Sequence, residues 1–555
     1  MKKTVIALLS IMAGFAYGDA CTNLIAGKNA TTDGSVMVTY AADSHTTYGD
    51  LFVQPASDNA PGTMRPIRDY ETNALRGEIP QVAHTYSTIG NMNEKGVTVT
   101  ETTWGGREEL VDTTGLVDYG SLMYIALQRA ATAREAIKVM TDIVAEYGYA
   151  SEGESFSIAD SNEAWIMEMI GKGGKSKGAV WVAIRIPDDC ISGHANQARI
   201  HKIPFKDKEN CMYSKDVVSF ARSQGYYTGK DVDFDFSRAY AIYDQGAMRG
   251  CDARVWAYFR KFKSGMDDYF KWVMFAEGEP MPLYVKPEKK VSVGEMQWAM
   301  RDHFEGTPLE MTEDIGAGPY KVPYRWRPLT YKVDGVEYTH ERAIATQQTG
   351  FSLVAQMRAN KPDAMKGVLW FGADDANTCV YIPVYCCQRK APHEFEVGNG
   401  DMLRISWDAA FWVNNYVANQ AYNKYSMMIP DIRRVQSAIE DGIAAEIPSV
   451  ESHASSLPKE EAIQYLTEFT NRWSAKAVKD YKELGDFLLV KYLDGNIKQE
   501  KDGKLIYTKD GVAAKPKFGG YDENYYRQIV NEKGEHFRVV EIRNDLPDYP
   551  NPAKP

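Results

Sequence analysis

The chain has 555 residues, 44% hydrophobic and 25% charged, a composition typical of a globular protein long enough to bury a large core. Its net charge of −11 disfavours a nucleic-acid partner, because phosphate binding requires a basic surface. A mean hydropathy of −0.42, without a second long apolar run, argues against a membrane span.

Residues 1–20 have the pattern of a secretory signal peptide. Two lysines give a positive start, 5–15 are apolar, and 18–20 form a small-x-small cleavage site. Such a signal would direct export of the protein, to the periplasm or beyond, and cleavage there would leave Cys21 as its first residue. Cleavage after Ala16 or Gly18 also fits small residues, and the protein would then have to trim itself.

A cysteine at a protein N-terminus carries both a thiol nucleophile and an α-amine of pKa about 7.7–8.0. The amine can accept the thiol proton near neutral pH, as in N-terminal nucleophile hydrolases. Cys21 therefore predicts a hydrolase. Two other interpretations stay open: a half-cystine, and the lipid-modified cysteine of a bacterial lipoprotein, whose acylated amine could not act as a base.

The remaining cysteines are even in number and allow up to three disulfides in an oxidising compartment. They are Cys190, Cys211, Cys251, Cys379, Cys386 and Cys387. No C-x-x-C pair occurs, so the pattern predicts no structural zinc.

Short β-prone segments separated by turns follow Cys21. They are 21–26, 35–40, 97–100, the hairpin of 156–159 with 164–170, and 180–186. Successive strands with short turns predict an antiparallel sheet. Later strands are expected at 368–371 and 378–386.

Helices interrupt these strands. The segment 122–129 is apolar-periodic, and Thr132 followed by Glu135 is a capping box for a helix that ends near Gly148. The same signature at 292–295 predicts a helix to about Gly306. Helices and antiparallel strands in separate blocks predict an α+β layered fold.

The pattern becomes mainly helical after about residue 392. Helices are predicted over 408–428 and 430–447, and from Pro458 toward Tyr492. The proline-rich end is expected to be a loose tail. We place a boundary near residue 395, between a catalytic domain of 21–395 and a helical C-terminal region of 396–555.

Five motifs occur in order along the chain. They are Cys21-Thr22-Asn23, Asp43-Ser44, Asn93-Glu94-Lys95-Gly96, Ser157-Ile158-Ala159-Asp160 with Glu163-Ala164-Trp165 and Glu168, and Ala195-Asn196-Gln197-Ala198-Arg199-Ile200. Together they resemble the secreted dipeptidase family of N-terminal nucleophile cysteine peptidases, peptidase family C69. That family is related to bile acid hydrolases and penicillin V acylases. The resemblance is dense to about Ile200 and diffuse to about Cys387.

The resemblance implies an αββα sandwich that cleaves dipeptides through a thioester acyl-enzyme, without metal or organic cofactor. Cys21 matches the nucleophile, and Asn196 matches an asparagine whose amide helps to form the oxyanion hole. Asp43 matches an aspartate that orients the terminal amine. Thr103 falls where related acylases place a second asparagine, and Arg254 matches a later active-site arginine.

Each of these residues also has an ordinary structural interpretation. Asn196 suits a turn, Asp43 suits a solvated position or a helix cap, and Arg254 suits a surface pair with Asp252. Tyr40 stands where many relatives carry an arginine beside the cysteine.

Four further residues near these motifs are expected to be structural. Trp104, Tyr149 and Phe156 are expected in the core rather than in a pocket wall, and Glu168 is expected at a solvated strand position.

The predicted function is therefore an exported dipeptidase acting on small peptides. An N-acyl amide hydrolase would instead cleave acylated amino acids and leave dipeptides intact. A non-catalytic surface lipoprotein would carry an acylated Cys21. The sequence gives no indication of oligomeric state.

Overall fold

The computed structural model of the protein describes residues 20–174 and 176–540. The predicted signal segment up to residue 19, Lys175 and the end of the chain from residue 541 lie outside the described residues.

Two antiparallel sheets organise the fold. Their strands in chain order are β1 Asn23–Ala26, β2 Val36–Asp43, β3 Val53–Gln54, β4 Thr88–Ile89, β5 Met92–Asn93, β6 Thr98–Trp104, β7 Gly153–Ala159, β8 Ala164–Gly171, β9 Ala179–Ile186, β10 Ile191–His194, β11 Cys211–Tyr213, β12 Tyr284–Val285, β13 Thr349–Met357, β14 Gly367–Ala373 and β15 Ile382–Tyr385. The first sheet has the order β12-β10-β1-β2-β13-β14-β15. The second has the order β11-β9-β8-β7-β6-β5-β4-β3.

Smaller antiparallel hairpins lie outside these sheets. Among them are Met64–Arg68 with Leu75–Pro80, and Thr330–Val333 with Val336–Thr339. Short two-residue strands elsewhere are Ser57–Asp58, His84–Thr85, Asn496–Ile497, Glu500–Lys501, Lys504–Leu505 and Lys517–Phe518.

Twelve α-helices occur among the described residues. In chain order they are α1 Tyr119–Arg129, α2 Ala133–Tyr147, α3 Val217–Ser223, α4 Phe236–Tyr240, α5 Ala253–Phe262, α6 Phe270–Phe275, α7 Val293–Ala299, α8 Asp363–Lys366, α9 Ala410–Ala421, α10 Tyr425–Ala454, α11 Lys459–Lys491 and α12 Glu523–Lys533. Helices α1 and α2 pack on the second sheet, and α5, α7, α9 and α11 pack on the first. β1 and β2 of the first sheet face β6 of the second. The predicted α+β fold is confirmed.

Burial on both faces explains why the central strands consist mainly of consecutive apolar residues. All eight residues of β2 and all eight of β8 are buried, because a helical layer covers one face and the other sheet covers the opposite face. One hydrophobic cluster lies between the second sheet and α1 and α2, and includes Val99, Phe156 and Met140. A larger cluster joins both sheets to the remaining helices.

Local capping signals locate the helix ends well at two places. The Thr132 side chain accepts a hydrogen bond from the Glu135 amide at the start of α2, and Gly148 ends that helix with a φ of 83°. Ser292 and Glu295 form a complete capping box before α7. The predicted extent of α7 to about Gly306 is wrong, because the helix ends at Ala299.

The predicted helix break at Pro430 is also wrong, since α10 runs through it. A proline inside a helix removes one hydrogen bond and costs roughly 3 kcal/mol. Packing offsets this cost: Ile432, Ile439 and Ile443 of α10 are at most 1% exposed. The break lies before α10 instead, between Ala421 and Tyr425.

The C-terminal helices lie directly on the first sheet. Thr470 Oγ1 of α11 donates to Pro383 O, and Tyr481 OH donates to Thr378 O. The boundary near residue 395 stays a prediction.

No helix among residues 20–174 and 176–540 is both long and apolar enough for a membrane span. All seven cysteines are free thiols.

Candidate active site

Cys21 lies where the two sheets face each other. It precedes β1, and its Sγ is 3.9 Å from Tyr40 OH of β2 and 3.7 Å from Glu101 Oε1 of β6. Tyr40 OH donates to the same Glu101 oxygen at 2.5 Å. Each sheet thus supplies one side chain beside the thiol, and the Cys21 residue as a whole is partly exposed.

Arg254 joins the Cys21 backbone to Asn196. Its Nη1 donates to Cys21 O at 2.6 Å and to Thr22 Oγ1 at 2.7 Å. Its Nη2 donates to Asn196 Oδ1 at 2.8 Å and to Ala195 O at 3.0 Å. The side chain is fully buried at the start of α5. The pKa of Arg254 is lowered to about 10, mainly by burial, so the guanidinium stays charged at neutral pH.

Arg254 fixes the orientation of the Asn196 amide. Because Oδ1 accepts from the guanidinium, Nδ2 points away from it and donates to Thr103 O at 2.5 Å. Asn196 has a φ of 59°, a left-handed conformation that asparagine tolerates better than most residues. The amide nitrogen has a second hydrogen available for a ligand.

Asp43 ends β2 and is completely buried. Arg342 forms an ion pair with its carboxylate, and Thr349 Oγ1 donates to Oδ1 at 2.6 Å. Arg342 Nη2 also donates to Ala20 O at 2.7 Å, and the Ala20 amide donates to Asp43 O at 2.9 Å. The Asp43–Arg342 pair therefore holds the residue that precedes Cys21.

The Thr103 side chain is committed to a second buried carboxyl group. Its hydroxyl donates to Glu154 Oε2 at 3.0 Å, across β6 and β7. Only its backbone carbonyl contacts Asn196. The hydroxyl is thus engaged away from the Asn196 amide.

The surroundings of Cys21 keep its thiol protonated. Burial first, and then the negative charges of Glu101 and Asp43, raise the pKa of Cys21 well above its ordinary value. In the uncleaved chain the residue has an amide nitrogen, which cannot accept the proton. The thiol is therefore a poor nucleophile unless a base or a cation reaches it.

Three tyrosines form a cluster near the thiol. The rings of Tyr70 and Tyr119 are 5.5 Å apart, and Tyr124 lies 6.3 Å from Tyr70. Burial, followed by the charge of Glu101, raises the pKa of Tyr119 well above its ordinary value. Tyr70 is 46% exposed, so the cluster reaches the protein surface.

Several structural expectations are now settled. Trp104, Tyr149 and Phe156 are fully buried in the core, as expected. Arg254 does not pair with Asp252. Instead, Arg199 Nε donates to Asp252 at 2.9 Å.

The solvated position predicted for Glu168 is wrong. The side chain is buried, and it accepts hydrogen bonds from the amides of Arg199 and Ile200. It therefore anchors the segment that carries Asn196. Both faces of β8 are covered, so neither set of alternating side chains on this strand, including Glu168, faces solvent.

Sequence reasoning missed Glu101, Glu154 and Arg342. Their roles depend on contacts across 80, 51 and 299 residues of sequence. The one available signal was Glu101 in the β-branched run of β6, where a charged side chain is unusual in a buried strand. Among residues 20–174 and 176–540, no group of three or more His, Cys, Asp or Glu side chains could hold a metal ion.

Comparisons with known proteins identify a peptidase family. The sequence model of peptidase family C69 matches residues 20–438. A probable dipeptidase of Latilactobacillus sakei is 27% identical over 479 residues, which cover 81% of this chain and 90% of the relative. A probable dipeptidase of Salmonella dublin is 27% identical over 69% of this chain and 85% of its own length. Probable dipeptidase B of Streptococcus pyogenes serotype M1 is 26% identical over 69% and 76%, respectively.

Proposed function

Because the chain belongs to peptidase family C69, we propose that it is an exported dipeptidase that hydrolyses dipeptides through a thioester on Cys21. The names of its relatives support the substrate class. The site residues support the chemistry. The observation that carries the proposal is the Arg254 side chain, which hydrogen-bonds both Cys21 O and the Asn196 amide.

Removal of residues 1–20 creates the base that the mechanism needs. Cleavage converts the Cys21 amide into an α-amine, which accepts the thiol proton directly or through a water molecule. The resulting ammonium lies beside the thiolate on the same residue. An adjacent positive charge favours the thiolate and offsets the effects of burial and of the acidic neighbours.

The buried ion pair beside residue 20 supports this role for the amine. Asp43 is held in place by Arg342 and Thr349, and its backbone lies against Ala20. A fixed carboxylate next to the new terminus orients the ammonium and stabilises its charge.

The thiolate then attacks the dipeptide carbonyl carbon and forms the S–C bond. The negative charge on the carbonyl oxygen is stabilised by the free N–H of Asn196 Nδ2. The C–N bond breaks, and the ammonium gives its proton to the departing amino acid. A water molecule, deprotonated by the same amine, attacks the thioester and releases the second amino acid, and the sulfur regains its proton.

N-terminal sequencing of the exported protein, combined with a panel of dipeptides, tests the proposal. We expect a free Cys21 as the first residue and release of both amino acids. Acid quenching during turnover should trap an adduct of the acyl residue on Cys21, detectable by mass spectrometry. Cys21→Ser should lose nearly all turnover and keep its fold, whereas the matched control Cys190→Ser should keep turnover, since that thiol lies outside the site.

Three results would refute the proposal. An acylated Cys21 would identify a lipoprotein. Hydrolysis of N-acyl amino acids with dipeptides left intact would identify the amide hydrolase. Undiminished dipeptide turnover by Cys21→Ser would exclude Cys21 as the nucleophile.

A further inference from the structure

A pair of buried carboxyl groups lies beside the thiol. Glu101 is 2% exposed and Glu154 is fully buried. They project from neighbouring strands, β6 and β7, and interact directly with each other. Glu101 Oε1 accepts from Tyr40, and Glu154 Oε2 accepts from Thr103. The remaining two oxygens, Glu101 Oε2 and Glu154 Oε1, have no other partner among the described residues, so a proton shared between the two carboxyl groups joins them.

No cation of the described residues compensates this pair. Neither carboxyl group forms an ion pair within residues 20–174 and 176–540. Arg254 and Arg342 are committed to the backbone side of Cys21 and to Asp43. Two adjacent buried carboxyl groups cannot both ionise at low cost, so the pair shares one proton and carries about one negative charge.

Such a pair is costly unless something binds it. Burying a charge without a partner costs several kcal/mol. The pair carries one negative charge that no cation of the described residues balances, and Glu101 Oε1 lies 3.7 Å from the sulfur of the proposed nucleophile. These are the requirements of a receptor for a small cation that donates several hydrogen bonds.

We propose that Glu101 and Glu154 bind the α-ammonium group of the dipeptide residue whose carbonyl carbon Cys21 attacks. This inference rests on the proposed dipeptidase function and adds to it the means by which a free amino terminus is recognised. It makes the enzyme specific for peptides with an unblocked first residue.

The distances fit this assignment. The α-nitrogen lies two bonds from the attacked carbon, about 2.5 Å away. Reacting atoms stand about 3–3.5 Å apart before attack, so the nitrogen lies within about 6 Å of the sulfur. A carboxylate that binds this nitrogen at about 2.8 Å must lie within about 9 Å of the sulfur. Glu101 reaches to 3.7 Å from Sγ and satisfies this limit.

The assignment also predicts which substrates are rejected. An acylated or deaminated substrate brings no cation, and it leaves the buried negative charge of the pair without a partner. A site built to bind a substrate N–H discriminates strongly against the analogue that lacks it. We expect at least a 100-fold preference in kcat/KM for the free amine.

The first experiment uses the wild-type enzyme with two matched substrates. The dipeptide of the panel that is hydrolysed best is compared with its deamino analogue, which has hydrogen in place of the α-ammonium group. A preference of at least 100-fold in kcat/KM supports the inference. Equal hydrolysis of both overturns the inference and leaves the proposed function intact, whereas no hydrolysis of any dipeptide overturns both.

The second experiment assigns the preference to the carboxyl pair. Glu101→Gln, and the double variant with Glu154→Gln, should lower kcat/KM for the dipeptide at least 30-fold and should not lower it for the deamino analogue. Glu451→Gln is the matched control. Glu451 is a buried glutamate of α10 that forms an ion pair with Arg358, and both residues are distant from Cys21 in the sequence. Circular dichroism checks that each variant is folded.

An equal loss on both substrates would overturn the inference, because it would mean that Glu101 acts on the thiol or on the fold rather than on the ammonium. The wild-type comparison needs no variant, so equal hydrolysis of the two substrates overturns the inference even where a variant does not fold.

Discussion

Replacement of Arg254 by lysine tests how the site is held together. Arg254 makes five hydrogen bonds, to Gly250 O, Cys21 O, Thr22 Oγ1, Ala195 O and Asn196 Oδ1. A lysine ammonium has three donors on one nitrogen. At least two buried acceptors therefore lose their partner, and the charge is kept.

Arg254→Lys is expected to lower both the stability of the protein and its turnover. Each hydrogen bond from a charged donor contributes about 1.5–3 kcal/mol, so two losses lower the free energy of unfolding by about 3–6 kcal/mol. Freed from the guanidinium, the Asn196 amide can rotate, and loss of one oxyanion donor costs about 100- to 1000-fold in kcat. We expect Arg254→Lys to show both effects, with little change in KM.

The assay measures kcat with a saturating dipeptide at low temperature, and the folded fraction is determined by calorimetry on the same sample. Arg301→Lys is the matched control. Arg301 is also buried and bonds Glu440 and Cys379 O in the C-terminal layer. It should lose stability and keep kcat per folded molecule. The reasoning is refuted if Arg254→Lys keeps kcat within threefold, or if both variants lose it equally.

Three further changes have expected outcomes. Asn196→Ala should lower kcat about 100- to 1000-fold in steady-state assays, because the Thr103 hydroxyl is engaged with Glu154 and cannot replace the amide. Burial raises the pKa of Glu168 from 4.5 to about 8, so the folded state binds this proton more tightly and stability is lost as pH rises from about 5 through 8. Urea titrations across that range should show this decline in the wild type and a smaller one in Glu168→Gln. Pro430→Ala should raise the free energy of unfolding in urea by roughly 1–3 kcal/mol, because it restores a helical N–H in α10 at an exposed position.

Local patterns predicted the elements whose causes are local. The β-branched run before Trp104 and the caps at Thr132 and Ser292 lie within a few residues of the structure that they specify. Pro430 obeys a local rule too, but the packing of α10 on the sheet outweighs it. A single-sequence pattern contains no measure of that packing.

The site divides in the same way. Cys21 follows from its place after the signal pattern, and its ordered companions follow from the family resemblance. Glu101 and Arg342 had no such signal, because each acts through partners that only the closed sandwich brings near. Glu168 was misjudged because period-two alternation assumes one solvated face, and β8 has none.

The charges around the sulfur explain how substrate binding would activate the proposed nucleophile. In the uncleaved chain, acidic neighbours raise the pKa of Cys21 and keep the thiol protonated. The proposed cleavage before Cys21 adds one positive charge, on the Cys21 amine. Under the proposed recognition, the α-ammonium group of a bound dipeptide adds a second positive charge, at Glu101 and Glu154. This charge neutralises the negative charge of the pair, which disfavours the thiolate more than any other effect except burial. The same carboxyl pair that selects a free amine therefore makes the nucleophile more reactive only when such an amine is bound.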